Sequence, residues 1–265
     1  MLSKTKNVIL SDEEYELILK SRPWMEKLES ILKVYDKSID SAKYLKELLE
    51  LANKNGSFED IGKRKIYHSN NQDKIILIIV DHMGLVSPQT GKSLKMEMDE
   101  ISKISVQFRN RCNFSFLMIM QANRESANVE RRKLDLVSPQ RSDIKDSSNM
   151  EADSDLILAV FNPHKEKLPK HQGYDIQQLK AKFRGIYLLK SRYGDGDVSV
   201  GCNFFGKTNY WHELPKASEI YNYDKYLTLD TYNTFKKDNN ENEDLYEEGD
   251  KSTCVDGVNN FNIIL

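Results

Sequence analysis

Short apolar runs alternate with a helical pattern through the middle of the chain. The first run, residues 75–81, has no polar alternation and is rich in β-branched side chains, which is typical of a parallel strand covered on both faces. Residues 114–120 and 155–161 form similar runs. Between the first two runs, residues 97–112 carry a stripe of apolar side chains at helical spacing. Strand, helix and strand in this order predict an α/β fold with right-handed crossovers.

Elements before the first run extend this prediction. Residues 11–33 have helical character, but Pro23 interrupts them, so two helices are predicted there rather than one. Residues 31–35 are typical of a short strand. Residues 41–54 predict an amphipathic helix that stops at Asn55-Gly56.

The later part of the chain is less regular. Residues 186–190 and 198–205 are strand-like and predict a C-terminal β-hairpin that closes the sheet. Residues 162–184 form a segment longer than a simple connection, with His164 and His171 inside it. These histidines have no third ligand nearby in the sequence, so a surface loop is favoured over a metal site.

Composition is typical of a soluble globular protein, with 39% hydrophobic and 30% charged residues. A net charge of −2 argues against a generally basic surface, although a local basic patch for nucleic acid stays open. The three cysteines are far apart, and the N-terminus lacks the apolar core of a signal peptide. No apolar run is long enough to cross a bilayer, so a cytoplasmic protein without a membrane partner is expected.

Polar side chains follow two of the predicted strands. Asp81 comes directly after the first apolar run, and Gln121 follows the second. Ligands bind at the carboxyl edge of open α/β sheets, and an aspartate there matches a Walker B motif that orders Mg²⁺. An aspartate that only caps the turn after the strand is an equally good explanation. Gln121 at a neighbouring strand end tilts the balance toward nucleotide chemistry.

Three further motifs follow, at residues 121–124 (Q-A-N-R), 141–157 (R-S-D-I-K-D-S-S-N-M-E-A-D-S-D-L-I) and 190–194 (K-S-R-Y-G). They resemble motifs of the DnaB-like replicative DNA helicases of superfamily 4, in a phage-type variant. In that family the first motif reads Q-L-N-R and the last K-Q-R-N-G. Within residues 141–157, positions 142–157 align without a gap to the family's S-D-L-R-E-S-G-S-I-E-Q-D-A-D-L-I stretch. Ser142, Asp143, Ser147, Glu151 and Asp155 are among the identical positions. The motifs occur in the family's order over about residues 30–215.

The resemblance implies a RecA-like, mostly parallel sheet flanked by helices, and a role for each matched side chain. Asp81 would hold Mg²⁺ through water, and Gln121 would sense the bound ATP. Lys190 and Arg192 would reach the ATP of a neighbouring subunit, where a guanidinium stabilises the transferring phosphoryl group. Without the resemblance, outward-facing residues on an edge strand would be the better explanation for Lys190 and Arg192.

The resemblance also implies a loop around residues 145–148 that holds single-stranded DNA by its backbone. A lysine suits a phosphate contact, and small serines let backbone N–H groups approach the strand. The family usually has glycine where Ser148 stands, which leaves the loop geometry open. An ordinary solvated charged loop is the alternative. The predicted DNA-binding residues are Arg124, Arg141, Lys145, Asp146, Ser147 and Ser148, with Arg131, Arg132 and Lys133 adding positive charge and Asp153 and Asp155 fixing geometry.

The family's phosphate-binding P-loop is not found in this sequence. T-G-K-S at residues 90–93 has Val86 where a P-loop needs its first glycine, and it follows Asp81 instead of preceding it. A surface loop is therefore predicted there. The catalytic glutamate is absent too, and the fold is expected to be incomplete on its P-loop side. Three explanations of the missing P-loop stay open: a truncated or split gene product, a misplaced start, and one segment of an interrupted helicase.

These observations predict part of an ATP-dependent replicative helicase motor, with ATP and Mg²⁺ as cofactors and single-stranded DNA as partner. A homohexamer, or a complex with a separate P-loop-bearing piece, is expected in a bacterial or phage-infected cell, and the isolated chain is expected to be inactive. The alternatives are another RecA-fold ATPase of the recombinase type and a non-catalytic interaction module. The predicted regions are a helical lead-in (1–30), the partial motor domain (31–215) and an acidic, disordered tail (216–265).

Overall fold

Two units make up the part of the chain that the structure, a computed structural model, describes. The first unit runs to Ile119 and includes the last described segment, and the second begins at Met120. No helix in the described ranges is long and apolar enough to cross a membrane. Those ranges are residues 11–122, 131, 137–144, 148–227 and 261–264.

A four-stranded parallel sheet forms the base of the first unit. Its strands, in spatial order, are β1 (Leu32–Lys33), β12 (Phe261–Ile264), β4 (Ile75–Val80) and β5 (Ser115–Met118). Strands β1, β4 and β5 confirm the three strands predicted for this part of the chain. The unbroken apolar sequence of β4 agrees with its position inside the sheet, with a strand on either side.

Strand β12 departs from the sequence prediction, which assigns residues 216–265 to a disordered tail. The backbone of Phe261–Ile264 pairs with β1 on one side and with β4 on the other. A strand that lies between two parallel strands forms backbone hydrogen bonds along both of its edges. A pairing partner so distant in sequence leaves no local pattern, which is why composition alone points to disorder.

A single helix, α1 (Asp12–Ile31), runs through Pro23, so the prediction of two helices is wrong. Proline fixes φ at a value that a helix accepts, and its cost of about 3 kcal/mol comes from one lost hydrogen bond and a clash with an earlier carbonyl. A helix this long has full turns on both sides of the proline that offset this cost. Many of its apolar side chains, including those of Leu17 and Trp24, are exposed.

Helices α2 (Ser41–Asn55) and α3 (Leu94–Cys112) pack against each other, as their predicted apolar stripes suggest. The hydroxyls of Tyr44 and Ser105 hydrogen-bond at 2.8 Å inside this contact. Burial raises the pKa of the Tyr44 hydroxyl. The buried apolar side chains of the two helices are Tyr44, Leu48 and Ala52 on α2 and Met98, Ile101, Ile104, Phe108 and Cys112 on α3.

Glu97 is a fully buried carboxylate in the first turn of α3. It accepts the backbone N–H of Ser41 at the start of α2 and, at 3.4 Å, that of Gln89. The Lys92 ammonium lies 3.9 Å from Glu97 and also binds Glu100. Its hydrogen bond to Glu100 lowers the pKa of that carboxyl. Glu97 therefore ties together the N-terminal ends of α2 and α3.

We expect Glu97→Ala to lower the free energy of unfolding by about 3 kcal/mol, because it leaves the buried N–H of Ser41 without an acceptor and Lys92 with one carboxylate fewer. The control is Lys95→Ala on the exposed side of the same helix, with an expected change below about 0.5 kcal/mol. Urea unfolding followed by circular dichroism measures both. Equal midpoints for the two variants would contradict this role of Glu97.

A hairpin that the sequence does not predict follows α2 directly. Its strands are β2 (Gly56–Ile61) and β3 (Arg64–Ser69), joined at Gly62, whose φ of +63° lies in the left-handed region. A Cβ atom on Gly56 would lie 2.3 Å from the His68 carbonyl oxygen, so only glycine fits there. The predicted stop at Asn55-Gly56 is therefore correct, but the chain turns at once into a strand.

An antiparallel sheet forms the second unit. Its strands, in spatial order, are β11 (Tyr210–Glu213), β10 (Val198–Phe205), β9 (Phe183–Ser191) and β6 (Leu156–Phe161). Helix α4 (Ser148–Asp153) precedes β6. The strand predicted at residues 155–161 and the hairpin predicted at residues 186–190 and 198–205, now β9 and β10, are confirmed as strands. The expectation that the hairpin closes the parallel sheet is wrong, because these strands form an antiparallel sheet of their own.

Residues 162–184, predicted as a surface loop, contribute instead to the core of the second unit. They form β7 (Lys170–His171), β8 (Tyr174–Asp175) and the short helix α5 (Ile176–Leu179). Ile176, Leu179 and Phe183 are fully buried. His171 is also buried, and its imidazole hydrogen-bonds the Tyr187 hydroxyl. The apolar positions here follow no single period, so the sequence alone does not reveal them as core.

The ordered chain also extends past the predicted boundary at residue 216. Ile220 is buried in the same core cluster, and Tyr223 and Tyr226 pack against it. The side-chain N–H of Asn203 donates to the Tyr226 carbonyl at 2.5 Å. The last helix is α6 (Asp224–Leu227). The first residues of the predicted tail therefore belong to the folded unit.

Candidate functional site

Asp81 lies directly after β4, at the carboxyl edge of the parallel sheet. Adjacent backbone hydrogen bonds fix this edge: Ile119 N–H donates to the Val80 carbonyl at 3.0 Å, and Met83 N–H donates to the Ile119 carbonyl at 2.9 Å. The Asp81 side chain is exposed. This edge is where open α/β sheets bind ligands.

The chain after Asp81 is held by hydrogen bonds to the segment just before α2. The Ser38 hydroxyl donates to the Leu85 carbonyl at 2.8 Å, and Ser87 N–H donates to the Ile39 carbonyl at 3.1 Å. The turn-capping alternative for Asp81 gains no support, because Gly84 N–H donates to the His82 ring instead, at 3.1 Å. Within the described residues, the Asp81 carboxylate has no hydrogen-bond partner. It is therefore available to hold water molecules around a metal ion.

The T-G-K-S segment serves to start helix α3. The Ser93 hydroxyl caps the helix by accepting the Met96 N–H at 3.2 Å. The Lys92 ammonium binds Glu100 and lies near Glu97, so it is engaged within the fold. These contacts agree with the predicted surface loop and give no sign of a phosphate-binding turn.

Gln121 belongs to the second unit, three residues beyond the end of β5. Its side chain is exposed. The next residue, Ala122, forms an isolated antiparallel bridge with Ile144. This bridge connects the Gln121 segment to the 3₁₀ turn at Arg141–Asp143, which leads into the predicted DNA-binding loop.

Lys190 and Arg192 both bind the end of helix α4. The Lys190 ammonium donates to the carbonyls of Glu151 and, at 3.1 Å, Ala152. The Arg192 guanidinium donates to the Ala152 carbonyl at 2.6 Å and to the Asp155 carboxylate at 3.0 Å. Cations are stabilised at the carbonyl end of a helix. Lys190 pairs only with Ile157 of β6, and Arg192 lies one residue beyond β9 with its side chain 44% exposed, so the explanation as outward-facing residues stays an alternative.

Arg141 and Asp143 have structural partners in the described chain. The Arg141 guanidinium donates to the Leu189 carbonyl of β9 at 2.5 Å. Asp143 is buried, accepts the Gln140 N–H at 2.8 Å and forms an ion pair with Arg131. Arg131 also donates to the Ser138 carbonyl at 2.9 Å. Its charge is thus matched inside the fold, which corrects the expectation that it adds to the positive charge of the loop.

The rest of the predicted DNA-binding loop lies largely outside the described residues. Ser148 is the first residue of helix α4. Arg124, Lys145, Asp146 and Ser147 fall in the undescribed ranges, together with Arg132 and Lys133.

Arg141 thus lies before that loop, and Lys190 and Arg192 bind the carbonyl end of the helix that follows it. The sequence motifs indicate roles for these cations but do not reveal Asp155 as the partner of Arg192. The two lie 37 positions apart, and only the pairing of β6 with β9 brings them together. Asp81 belongs to the other unit. No group of three or more metal-ligating side chains occurs among the described residues, so a metal at Asp81 would take its other ligands from water or a bound nucleotide.

Comparison with known proteins identifies a family. Residues 28–213 match the DnaB-like helicase C terminal domain. The chain is 30% identical over 158 residues to the replicative DNA helicase DnaB of Buchnera aphidicola subsp. Baizongia pistaciae (strain Bp). That match covers 59% of this chain and 30% of the relative, so the chain spans well under half of the relative's length.

The fold is similar to that of two solved structures. A DnaB-like replicative helicase, described with its interactions with primase, has a TM-score of 0.57 and 14% identity over 81% of this chain and 45% of its own. A second solved structure, an ATPase domain, has a TM-score of 0.55 and 15% identity over 78% of this chain and 62% of its own. At these identities the similarity concerns the fold alone, and it confirms the predicted α/β, RecA-like class.

Proposed function

The chain belongs to the DnaB-like helicase C-terminal domain family, and we propose that it is part of an ATP-dependent replicative helicase motor that moves on single-stranded DNA. The proposed motor domain covers residues 31–215 and works as one copy in a homohexameric ring. Because the chain spans only part of its relatives, the motor also needs a P-loop-bearing segment, whether supplied by the same polypeptide or by a separate piece.

The observation that most supports this proposal is the position of the cations in the second unit. Arg141 lies before the proposed DNA-binding loop, and Lys190 and Arg192 bind the helix that follows it. DNA binding relies on cations that meet its phosphates, and phosphoryl transfer relies on a guanidinium near the transferring group. One region of the unit thus holds side chains suited to both tasks.

For ATP, each side chain matched by the family resemblance has its own proposed role. Asp81 would hold Mg²⁺ through water, and the metal would supply positive charge to the β- and γ-phosphates. Gln121 would hydrogen-bond near the γ-phosphate. Lys190 and Arg192 would reach the ATP held by an adjoining copy. Because Lys190 and Arg192 would act on the ATP of an adjoining copy, we propose a ring.

The contacts also suggest how a change in the bound nucleotide would be transmitted to the proposed DNA-binding loop. The Gln121 segment is joined to the front of the loop by the bridge between Ala122 and Ile144. On the other side of the loop, Arg192 binds Ala152 and Asp155 at the carbonyl end of α4, the helix that follows the loop. A shift of either residue toward or away from a phosphate would pull on the loop from one end. We therefore propose that Gln121 and Arg192 act together on the DNA-binding loop.

ATPase measurements on the chain with and without a P-loop-bearing segment test the proposal. That segment is a polypeptide carrying G-x-x-x-x-G-K-[ST] followed by a strand ending in Glu. We expect the chain alone to be inactive and the mixture to hydrolyse ATP with stimulation by single-stranded DNA. Asp81→Asn should abolish the stimulated rate. Asp73→Asn, an exposed carboxylate just before β4, is the matched control. A normal motor rate from the chain alone would mean that no P-loop-bearing segment is needed, and it would overturn the proposal.

The second candidate is a non-catalytic interaction module that keeps the fold. The internal contacts of Arg141, Lys190 and Arg192 favour it, because all three cations have partners within the fold. The two proposals differ in one outcome: a module would bind its partner without any DNA-stimulated hydrolysis in the mixture. A recombinase-type ATPase is less well supported, because residues 151–155 and 190–192 resemble the helicase motifs.

A further inference from the structure

A cavity of about 450 Å³ opens in the first unit, at the amino ends of β4 and β5. Hairpin strand β3 forms one wall, and the last residues of α2 and α3 form the others. Its volume lies within the range of small-molecule sites, about 300–1,000 Å³. Neither the ATP proposal nor the DNA proposal uses this cavity.

The cavity carries uncompensated positive charge. Lys74 and Arg111 line it, and none of the lining residues that the structure describes carries a carboxylate. Within the described residues, neither cation has an ion pair or a side-chain hydrogen bond. Burial raises the pKa of the Cys112 thiol, also in the lining, to about 11, so this group is neutral at physiological pH.

The carbonyl ends of two helices offset only part of this positive charge. The cavity faces the carbonyl ends of α2 and α3, each equivalent to about −0.5 of an elementary charge. Arg111 lies in the last turn of α3, where a cation is favourable without any ligand. Lys74 lies outside any helix, just before β4. Two full positive charges against about one negative equivalent leave the cavity cationic.

Its position separates the cavity from the proposed ATP site. Asp81 follows the carboxyl end of β4, whereas the cavity lies at the amino end. The six residues of β4 span about 20 Å at ~3.3 Å per residue. One mononucleotide therefore cannot contact both places.

We propose that this cavity binds a phosphomonoester with a ring-bearing organic part, such as a nucleoside 5′-monophosphate. Lys74 and Arg111 meet the dianionic phosphate. The volume exceeds what a bare phosphate needs, and the half-buried Tyr67 ring offers an apolar surface to the organic part. The side-chain amides of Gln72 and Asn113, also in the lining, provide donors and acceptors for ring substituents.

Calorimetric titration of the chain, without any P-loop-bearing segment, tests this inference apart from the motor function. The probes are 5′-dAMP, deoxyadenosine, inorganic phosphate and a single-stranded oligonucleotide. We expect saturable binding of 5′-dAMP and at least ~10-fold weaker binding of deoxyadenosine and of inorganic phosphate. Lys74→Ala and Arg111→Ala should each weaken 5′-dAMP binding by about 10-fold or more. Lys63→Ala, at the exposed turn of the same hairpin, should leave it unchanged.

Each other outcome overturns the inference. Equal affinity for deoxyadenosine removes the role of the phosphate, and equal affinity for inorganic phosphate removes the role of the ring. Binding that survives Lys74→Ala and Arg111→Ala lies elsewhere. Binding of the oligonucleotide without binding of 5′-dAMP assigns the charge to nucleic acid instead. Circular dichroism of each variant verifies that it is folded.

Discussion

Arg192→Ala is expected to lower kcat for ATP hydrolysis by the assembled motor about 10³-fold or more, with little change in ATP affinity. A guanidinium near the transferring phosphoryl group stabilises charge that develops only in the transition state. Its loss therefore affects the chemical step more than binding. Single-turnover hydrolysis measures the first quantity, and equilibrium binding of a non-hydrolysable ATP analogue measures the second.

The internal contacts of Arg192 call for a second variant. Arg192→Ala also removes the hydrogen bonds to Asp155 and Ala152, so part of its effect would come from a loosened α4–β6 junction. Asp155→Asn weakens this internal contact but keeps the guanidinium. We expect Asp155→Asn to keep hydrolysis within about 10-fold of the parent while changing its stimulation by DNA. Equal losses in the two variants would mean that Arg192 only supports the fold.

Mixed rings test whether Arg192 acts on a neighbouring copy. Asp81→Asn copies lack the residue proposed to organise the metal but retain Arg192, and Arg192→Ala copies have the opposite defect. Each variant alone should be inactive, whereas a mixture should recover part of the activity because some interfaces combine one intact residue from each copy. No recovery in a mixture that still forms rings would argue for a site within one copy.

The elements that the sequence predicts well are those with one strong local signal. β4 and β5 are continuous apolar runs, and α2 and α3 carry apolar stripes at helical spacing, so all four were predictable within a few residues. Asp81 was predictable for the same reason, because it follows directly from the end of a recognisable strand. The hairpin β2–β3 had a weaker signal, a glycine turn at Gly62 between two short mixed segments.

What the sequence could not provide depends on contacts between distant residues. β12 pairs with two strands from the first part of the chain, and no local pattern marks its partners. Asp155 meets Arg192 only because β6 and β9 pair. Glu97, an ordinary glutamate in the sequence, becomes a buried acceptor because α2 begins beside it. Each of these cases required tertiary structure.

The second large effect is expected from the ion pair between Arg131 and Asp143, which lies just before the proposed DNA-binding loop. Asp143→Ala should lower the free energy of unfolding of the second unit by about 3–5 kcal/mol, because it removes the carboxylate from a mostly buried ion pair. The side chains of Arg131 and Asp143 are only 18% and 9% exposed. The substitution also removes the acceptor of the Gln140 N–H. Urea unfolding monitored by circular dichroism gives the change.

A surface ion pair provides the control for Asp143→Ala. Arg22 and Glu26 are 72% and 61% exposed on α1, and Glu26→Ala should cost less than about 1 kcal/mol. Replacing both partners, as in Arg131→Met with Asp143→Leu, should recover part of the lost stability, since no unpaired buried charge remains. If the turn at residues 141–143 orients the proposed loop, this double variant should bind single-stranded DNA poorly even though its stability is partly restored. Normal DNA affinity in a stable double variant would mean that the ion pair contributes to stability and not to DNA binding.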